Sequence, residues 1–352
     1  MNSVLKKRYN VDNILIPLIF SLLFALLAYY YVPTKGYDLY EYYSWMDKML
    51  AFNTNDLLNY IFYRGEFVIM GYFYLIALIG NYSLAQFFPV FFIYFIMFYI
   101  IFDYGKLKNK GIKEILFVCL TFISLFKFIF AVSSFRYVLA YSIFTLGIYF
   151  EFIKNKKNIF YKLLYIIPLF IHTSSFILIF FRLILIIKNK KIIFLLLSIF
   201  CLCMFFPNLI IYCLNLFNGI QFMDFIGGRV KMYLIDESFS ITLQFIFRTI
   251  QTVLITLAGL ICYYKTEKKE YSQYFLFYFV IGLFTLSQIT HYSIYMRFID
   301  MLLFLSPIII YDLLCYIKCK GKVMKFLVYS IILIFIIGGI RIQIPVFEQM
   351  YF

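Results

Sequence analysis

The sequence predicts an all-α protein, a polytopic transmembrane helix bundle of about 10–12 membrane segments. Three observations carry that prediction. Apolar stretches recur along all 352 residues, and many reach the roughly 18–20 residues that a spanning helix needs. Charged residues make up 14% of the chain, about half the share of a soluble domain, against 64% hydrophobic and 23% aromatic residues. The lysines gather in short clusters that border the apolar stretches and do not interrupt them. No soluble domain, fixed-period repeat or low-complexity linker is visible, so residues 1–352 read as a single integral membrane domain.

Lys6–Arg8 precede an apolar run from Ile14 to Val32. The run is too long for the hydrophobic part of a signal peptide, and no small-x-small cleavage site follows. It therefore reads as the first spanning helix, over 14–33. Residues 34–62 form a first outer loop, followed by two apolar segments at about 65–80 and 83–103. Two full crossings there would carry the next basic cluster outside. One of the two segments is therefore expected to be re-entrant or interfacial. The alternative is one long span over 159–187, which moves Arg136 to the cytoplasmic side. Spans near 114–131 and 134–152 meet at an outer turn holding Ser133, Ser134 and Arg136. Residues 159–187 are too few for two full spans yet return to a basic cluster, so they read as a short helical hairpin with His172 near its tip. Further spans are expected near 192–216, 241–263, 272–290, 296–316 and 323–340, with a second outer loop at 217–240 containing Gly227, Gly228 and Arg229.

The net charge of +15 has an orientation of its own. Six basic clusters, at Lys6–Arg8, Lys106–Lys113, Lys154–Lys162, Lys188–Lys191, Lys265–Lys269 and Lys318–Lys325, hold 20 lysines and one arginine. The other 11 basic residues are four lysines and seven arginines: Arg64, Arg136, Arg182, Arg229, Arg248, Arg297 and Arg341. Lysine thus marks the cytoplasmic loops, as the positive-inside rule requires, and most arginines fall on the opposite face. The charge reports orientation, not nucleic-acid binding. The seven cysteines are scattered, with no CxxC and no Cys/His set at metal spacing, so they read as buried free thiols. There is no Walker A sequence, no paired metal-ligand motif and no GxSxG, so no metal, nucleotide or other cofactor is expected.

An ionisable group at membrane depth is costly and usually lines a cavity or finds a partner. Arg136 follows two serines that can cap a helix start, and a capped helix N-terminus beside a guanidinium suits an anion. The plainer reading is an arginine that snorkels to the headgroups or pairs with Glu66. His172 precedes Thr173, Ser174 and Ser175, so it can serve as a base or donor near neutral pH, or merely satisfy a turn. In "GYDLYEYYSWMD", residues 36–47, Asp38, Glu41 and Asp47 lie among Tyr37, Tyr40, Tyr42, Tyr43 and Trp45. Carboxylates accept sugar hydroxyl protons and rings stack on sugar C–H faces; an interfacial aromatic belt gives the same composition. Arg64 and Glu66 can pair with each other, or Glu66 can act as acid, base or ligand to Arg136. His291, Arg297 and Asp300 mark another helix start, with a local Arg297–Asp300 pair three residues apart. Arg248 sits about two turns inside its span, where a lone cation has no evident structural reason. Arginine forks hold phosphate bidentately, and a lipid-linked pyrophosphate is the polyanion a membrane protein would meet here.

In order, the chain carries Asp38-Leu-Tyr-Glu-Tyr42, "GEF" at 65–67, "FRYVLA" at 135–140 before a basic cluster, "IHTSS" at 171–175, and "YMRF" at 295–298 before a proline-bearing span. This order and spacing resemble the EpsG family of bacterial exopolysaccharide proteins, a branch of the Wzy-type polymerases. Where that family usually has an Arg-Gln pair, this chain has Arg136-Tyr137. The resemblance implies a fold like the multispanning, lipid-sugar-dependent (GT-C-like) glycosyltransferases. It implies a polymerase that moves glycan from an undecaprenyl-pyrophosphate-linked repeat unit to the non-reducing end of another lipid-linked unit, at the outer face of the bacterial cytoplasmic membrane. Its partners would be that lipid-linked oligosaccharide, the bilayer and a chain-length regulator protein, with no nucleic acid. On this reading His172 is the expected base, with Glu66 and Asp38 behind it. Arg136, Arg64, Arg229, Arg248, Arg297, Tyr42 and Ser134 would bind substrate.

Three other classes use similar residues. A flippase for the same lipid-linked unit should show pseudo-symmetric repeats and cations along its whole path. An O-antigen ligase-like transferase differs only in its acceptor. A sugar-modifying acyltransferase would want a histidine deep in a funnel.

Overall fold

The computed structural model describes residues 2–156, 158–185, 242–266, 269–289, 291–318 and 321–351. The expected span at 192–216, the second outer loop at 217–240 with Arg229, and the Lys188–Lys191 cluster lie outside the described residues. Every described element is helical. Five helices are long and apolar enough to cross a membrane: Leu84–Leu107, Phe135–Ile153, Gln244–Lys265, Tyr292–Ile317 and Lys322–Ile344. Four shorter apolar helices accompany them, at Ile14–Tyr29, Phe67–Ile79, Ile159–Phe170 and Tyr271–Ser287. The chain divides into two compact units, Met1–Leu178 with Leu303–Phe352, and Ile179–Leu302.

In the first unit, α1 (Asn2–Tyr29) packs along α5 (Leu84–Leu107). Between them the chain forms α2 (Asp38–Ala51), α3 (Thr54–Arg64) and α4 (Phe67–Ile79). The expected outer loop at 34–62 is thus largely helical. Asn53 starts α3 by accepting the Asp56 N–H at 2.9 Å, and Gly65, at φ 69°, takes the left-handed turn that ends it.

The helix α4 settles the parity of the apolar segments. Its 13 residues rise about 20 Å, short of the roughly 30 Å hydrocarbon core. The chain also returns after α4 to the end that α1 reached. Asn81 donates to the Tyr29 hydroxyl at 3.0 Å, Gln86 to the Tyr31 carbonyl at 3.4 Å, and Tyr82 to Asp47 at 2.7 Å. The helix α4 therefore adds no crossing, and α5 runs back antiparallel to α1 toward the Lys106–Lys113 cluster.

The next crossing is broken. The helix α6 (Ile112–Leu125) stops at Phe126–Lys127, and α7 (Phe128–Ser133) resumes. A break inside a span frees backbone groups that lipid cannot satisfy. The Gln343 amide, from α14 (Lys322–Tyr351), repairs it. Its Nε2 donates to the Ile123 and Ser124 carbonyls at 2.9 and 3.0 Å, and its Oε1 accepts the Phe128 N–H at 3.4 Å. Gly339 permits the approach, since a Cβ there would lie 2.1 Å from the Ser124 oxygen.

The helix α8 (Phe135–Ile148) continues through a wider turn at Tyr149–Ile153 to Lys154, which meets Asp103 at 2.6 Å. Beside it Lys108 meets Asp312 at 2.7 Å, on α13 (Tyr292–Lys318). These contacts define a lysine end. Arg136, in the first turn of α8, lies at the other end, about 27 Å along the helix. The helix α9 (Ile159–Ile166) and a 3₁₀ turn (Ile167–Phe170) lead to a break at Ile171–Ser174, where a hairpin tip was expected; α10 (Ser175–Ile184) follows.

In the second unit, α11 (Leu243–Lys265) and α12 (Lys269–Ser287) pack antiparallel. A Cβ on Gly259 would lie 2.3 Å from the Tyr278 ring, and one on Gly282 would lie 2.4 Å from the Thr256 hydroxyl oxygen. Such small residues let membrane helices approach closely. Cys119 and Cys262 are buried and Cys315 is half-buried, and none of the three is in a disulfide.

Candidate active site

Short elements assemble the arginine end of the first unit. The helix α2 starts at Asp38 and presents Tyr42 and Trp45 three residues apart on one face. Arg64 ends α3, Gly65 turns the chain, and Glu66 opens α4. Glu66 forms an ion pair with Arg136, their side chains 2% and 11% exposed. Of the two partners open to Glu66 in the sequence, it takes Arg136 and not Arg64.

Aromatic rings complete the surroundings. The Arg136 guanidinium carbon lies 4.8 Å from the Tyr42 ring centre and 4.9 Å from that of Trp45. Arg64 lies 4.1 Å from the same Trp45 ring and donates to the Tyr60 hydroxyl at 3.2 Å. Sharing one indole keeps the two guanidinium carbons within about 9 Å of each other. Arg64 is half-buried and has no ion pair among the described residues. The Arg136 Nε is buried without a hydrogen-bond partner there. Burial pushes the Tyr42 phenol well above its usual range, so it stays protonated and donates to Asp38 at 3.3 Å. The site is therefore a pair of stacked forks, one held by a buried carboxylate and one not.

The expected hydroxyl cap on α8 is corrected. Ser134, at φ −106° and ψ 33°, makes no capping hydrogen bond, and the Ser133 hydroxyl is buried without a partner. A cap needs extended backbone to aim its oxygen at the first-turn N–H groups, and Ser134 does not adopt it.

His172 flanks the pair. Its ring lies 6.0 Å from Tyr137, the neighbour of Arg136, while Phe170 lies 6.0 Å from Phe67, the neighbour of Glu66. The Ser174 N–H donates to His172 Nδ1 at 3.2 Å, and the Ser174 hydroxyl lies 2.7 Å from the same atom. Tyr141 donates to that hydroxyl at 3.1 Å. With the Nδ1 lone pair so engaged, the proton of the neutral ring sits on Nε2. His172 itself, and not the serines alone, closes the turn before α10.

Arg248 and Arg297 belong to the second unit. Arg248 is 2% exposed, donates to Gln251 at 3.1 Å and feels the charge of Asp300, which is equally buried. Arg297 is half-buried on α13.

A family model described as the EpsG family matches residues 13–349, nearly the whole chain and all the motifs above. The chain belongs to the EpsG family. No curated protein and no solved structure matches it. EpsG-family members are Wzy-like polymerases, so membership points to polysaccharide polymerisation by a multi-pass membrane protein.

Within this EpsG-family chain the structure brings Asp38, Tyr42, Arg64, Glu66 and Arg136 of the expected set together in the first unit, while Arg248 and Arg297 lie in the second. The sequence reading gave Trp45 no special part, although a lone tryptophan among tyrosines beside two arginines was a usable signal. It also passed over Lys127, buried at the α6–α7 break, the buried amides of Gln251 and Gln288, and the half-buried amide of Gln343. A glutamine inside an apolar span is the signal that would have found them.

Proposed function

We propose that the arginine end binds the pyrophosphate of an undecaprenyl-linked oligosaccharide and that the protein transfers the glycan to the non-reducing end of a second lipid-linked unit. The observation that carries this reading is the pair Arg64 and Arg136 on one indole, with Arg64 free of any carboxylate among the described residues. By the positive-inside rule the arginine end faces outward, which in a bacterium is the outer face of the cytoplasmic membrane.

In the transfer, the bond from the sugar C1 to the pyrophosphate oxygen breaks, and its electron pair leaves with the pyrophosphate. A new bond forms from C1 to the acceptor oxygen, whose proton goes to a base. The guanidinium forks stabilise the charge that develops on the leaving group. Glu66 orients Arg136. Asp38 is the base in this reading, because Glu66 is committed to its ion pair and Asp38, among the described residues, accepts only the Tyr42 phenol. His172, carrying its proton on Nε2, donates to a substrate oxygen. A chain-length regulator is a further expected partner.

Deletion of the gene tests the reading. Single lipid-linked repeat units should accumulate at the outer face. Accumulation at the inner face would identify a flippase instead, and normal polymer lacking only its final attachment would identify a ligase.

A further inference from the structure

We infer that the second unit carries a saccharide-binding site where α11, α12 and the start of α13 meet. The inference takes the identity of its sugar from the polymerase reading above, but its geometry is independent. The close approaches of Gly259 to Tyr278 and Gly282 to Thr256 fix the antiparallel register of α11 and α12. Extended by one to two turns, that register sets Gln288 level with Arg248–Gln251. Tyr295 of α13 reaches the same level, donating to the Thr249 hydroxyl at 3.0 Å.

Two amides at this level are half-used. Gln251 and Gln288 are both 0% exposed. The Gln251 Oε1 accepts from Arg248, but its Nε2 has no partner among the described residues. The Gln288 Nε2 donates to Ser287 at 3.0 Å, but its Oε1 has none. One buried donor, inside α11, and one buried acceptor, in the turn that ends α12, are thus left over. Each such group is costly to bury unless something meets it.

The chemistry selects the ligand. Asp300 is as buried as Arg248 and its negative charge acts on it, which disfavours a further anion at this level. A phosphate would use the Gln251 donor but oppose the Gln288 oxygen. A hydroxyl both donates and accepts, so a polyol offers each amide the partner it lacks. The Phe245 and Tyr295 rings, 5.4 Å apart, add apolar faces of the kind that pack on sugar C–H groups. The ligand class is a neutral saccharide.

The test uses the full-length protein in lipid nanodiscs. The probe is the free oligosaccharide released by mild acid from lipid-linked units of a strain lacking this chain. Saturation-transfer NMR should show binding to the wild type. The double variant Gln251→Met with Gln288→Met keeps side-chain size and removes both amides. Its binding should weaken at least about tenfold, with a melting temperature equal to or above wild type. If the double variant does not fold, the single variants decide, each expected to weaken binding about threefold. No transfer to the wild-type protein, or unchanged binding in the variants, overturns the site and leaves the amides as packing. Pyrophosphate binding, followed through the emission of Trp45, separates the two readings. Oligosaccharide binding that survives in an Arg64→Gln variant unable to bind pyrophosphate supports this site, whatever becomes of the polymerase reading. Polymerisation without oligosaccharide binding overturns this site alone.

Discussion

The two ends of the first unit are made of the same three parts, a cation, a carboxylate and a tyrosine, and differ in how they combine them. At the lysine end, Asp103 takes both Lys154 and the Tyr149 hydroxyl, and Asp312 takes both Lys108 and the Tyr104 hydroxyl at 2.9 Å. The lysine side chains are 25% and 26% exposed, so these pairs stand at the water's edge. At the arginine end the carboxylate is buried, the cations are planar forks on aromatic rings, and Arg64 has no carboxylate of its own among the described residues. Lysine is a compact, strongly hydrated charge, whereas a guanidinium is weakly hydrated and stacks. The lysine end neutralises its charge locally; the arginine end leaves one fork without a carboxylate among the described residues, as the proposed phosphate site requires.

The largest expected effect breaks this comparison if it fails. Arg136→Lys keeps the charge and removes the fork. Polymerisation should fall about ten- to a hundredfold, with protein abundance near normal. Polymer length and residual lipid-linked units, resolved on gels, give the measurement; full activity would make the cation generic. Arg136→Ala should instead cost abundance, because it leaves Glu66 buried and unpaired at about 3–5 kcal/mol. Adding Glu66→Gln should recover the protein without the activity. Recovery of both would reduce the pair to a structural one.

Arg64→Gln comes next. Its present contacts are a hydroxyl and two rings, so folding should be little changed while polymerisation falls about tenfold. Trp45 is the chain's one tryptophan, so intrinsic emission reports this end alone. Pyrophosphate should perturb the emission of the wild type and do so much less in Arg64→Gln. An identical titration in both would remove Arg64 from the site.

What the sequence made legible follows from what each scale of pattern encodes. Helical class and the lysine end were readable because apolar length and lysine clustering are one-dimensional. The ordering of Asp38, Glu66 and Arg136 was readable as motifs and the Arg136–Glu66 pair was open as one alternative, but the choice between Arg64 and Arg136 depends on α4 turning back without crossing. That reversal rests on Gly65, Gly80 and the Asn81–Tyr29 contact, which join residues 52 positions apart. The serine cap failed for a local reason: composition permits a cap, and only backbone angles decide it. The α6–α7 break was invisible because Gln343, which repairs it, lies more than 200 residues away.

That repair sets the third prediction, midway between the two ends. Gln343→Leu strands two carbonyls and one N–H and should destabilise by roughly 1–3 kcal/mol. Abundance in the membrane should drop, and activity per molecule should hold. A loss of activity at normal abundance would show that the break itself takes part in the reaction.

The smallest effect belongs to the lysine end. Lys154→Gln leaves Asp103 its Tyr149 hydroxyl, and the pair it removes is partly exposed. Such pairs contribute at most about 1 kcal/mol after solvent screening. Orientation depends on the clusters together, and Lys154 is one of 20 clustered lysines, so topology should not change. Polymerisation should therefore stay within about twofold of wild type, with cysteine labelling from outside still reaching 38–47 and not 106–113. A loss as deep as that of Arg64→Gln would mean that the lysine rim also bears on the reaction, and the division between an orienting end and a binding end would have to be abandoned.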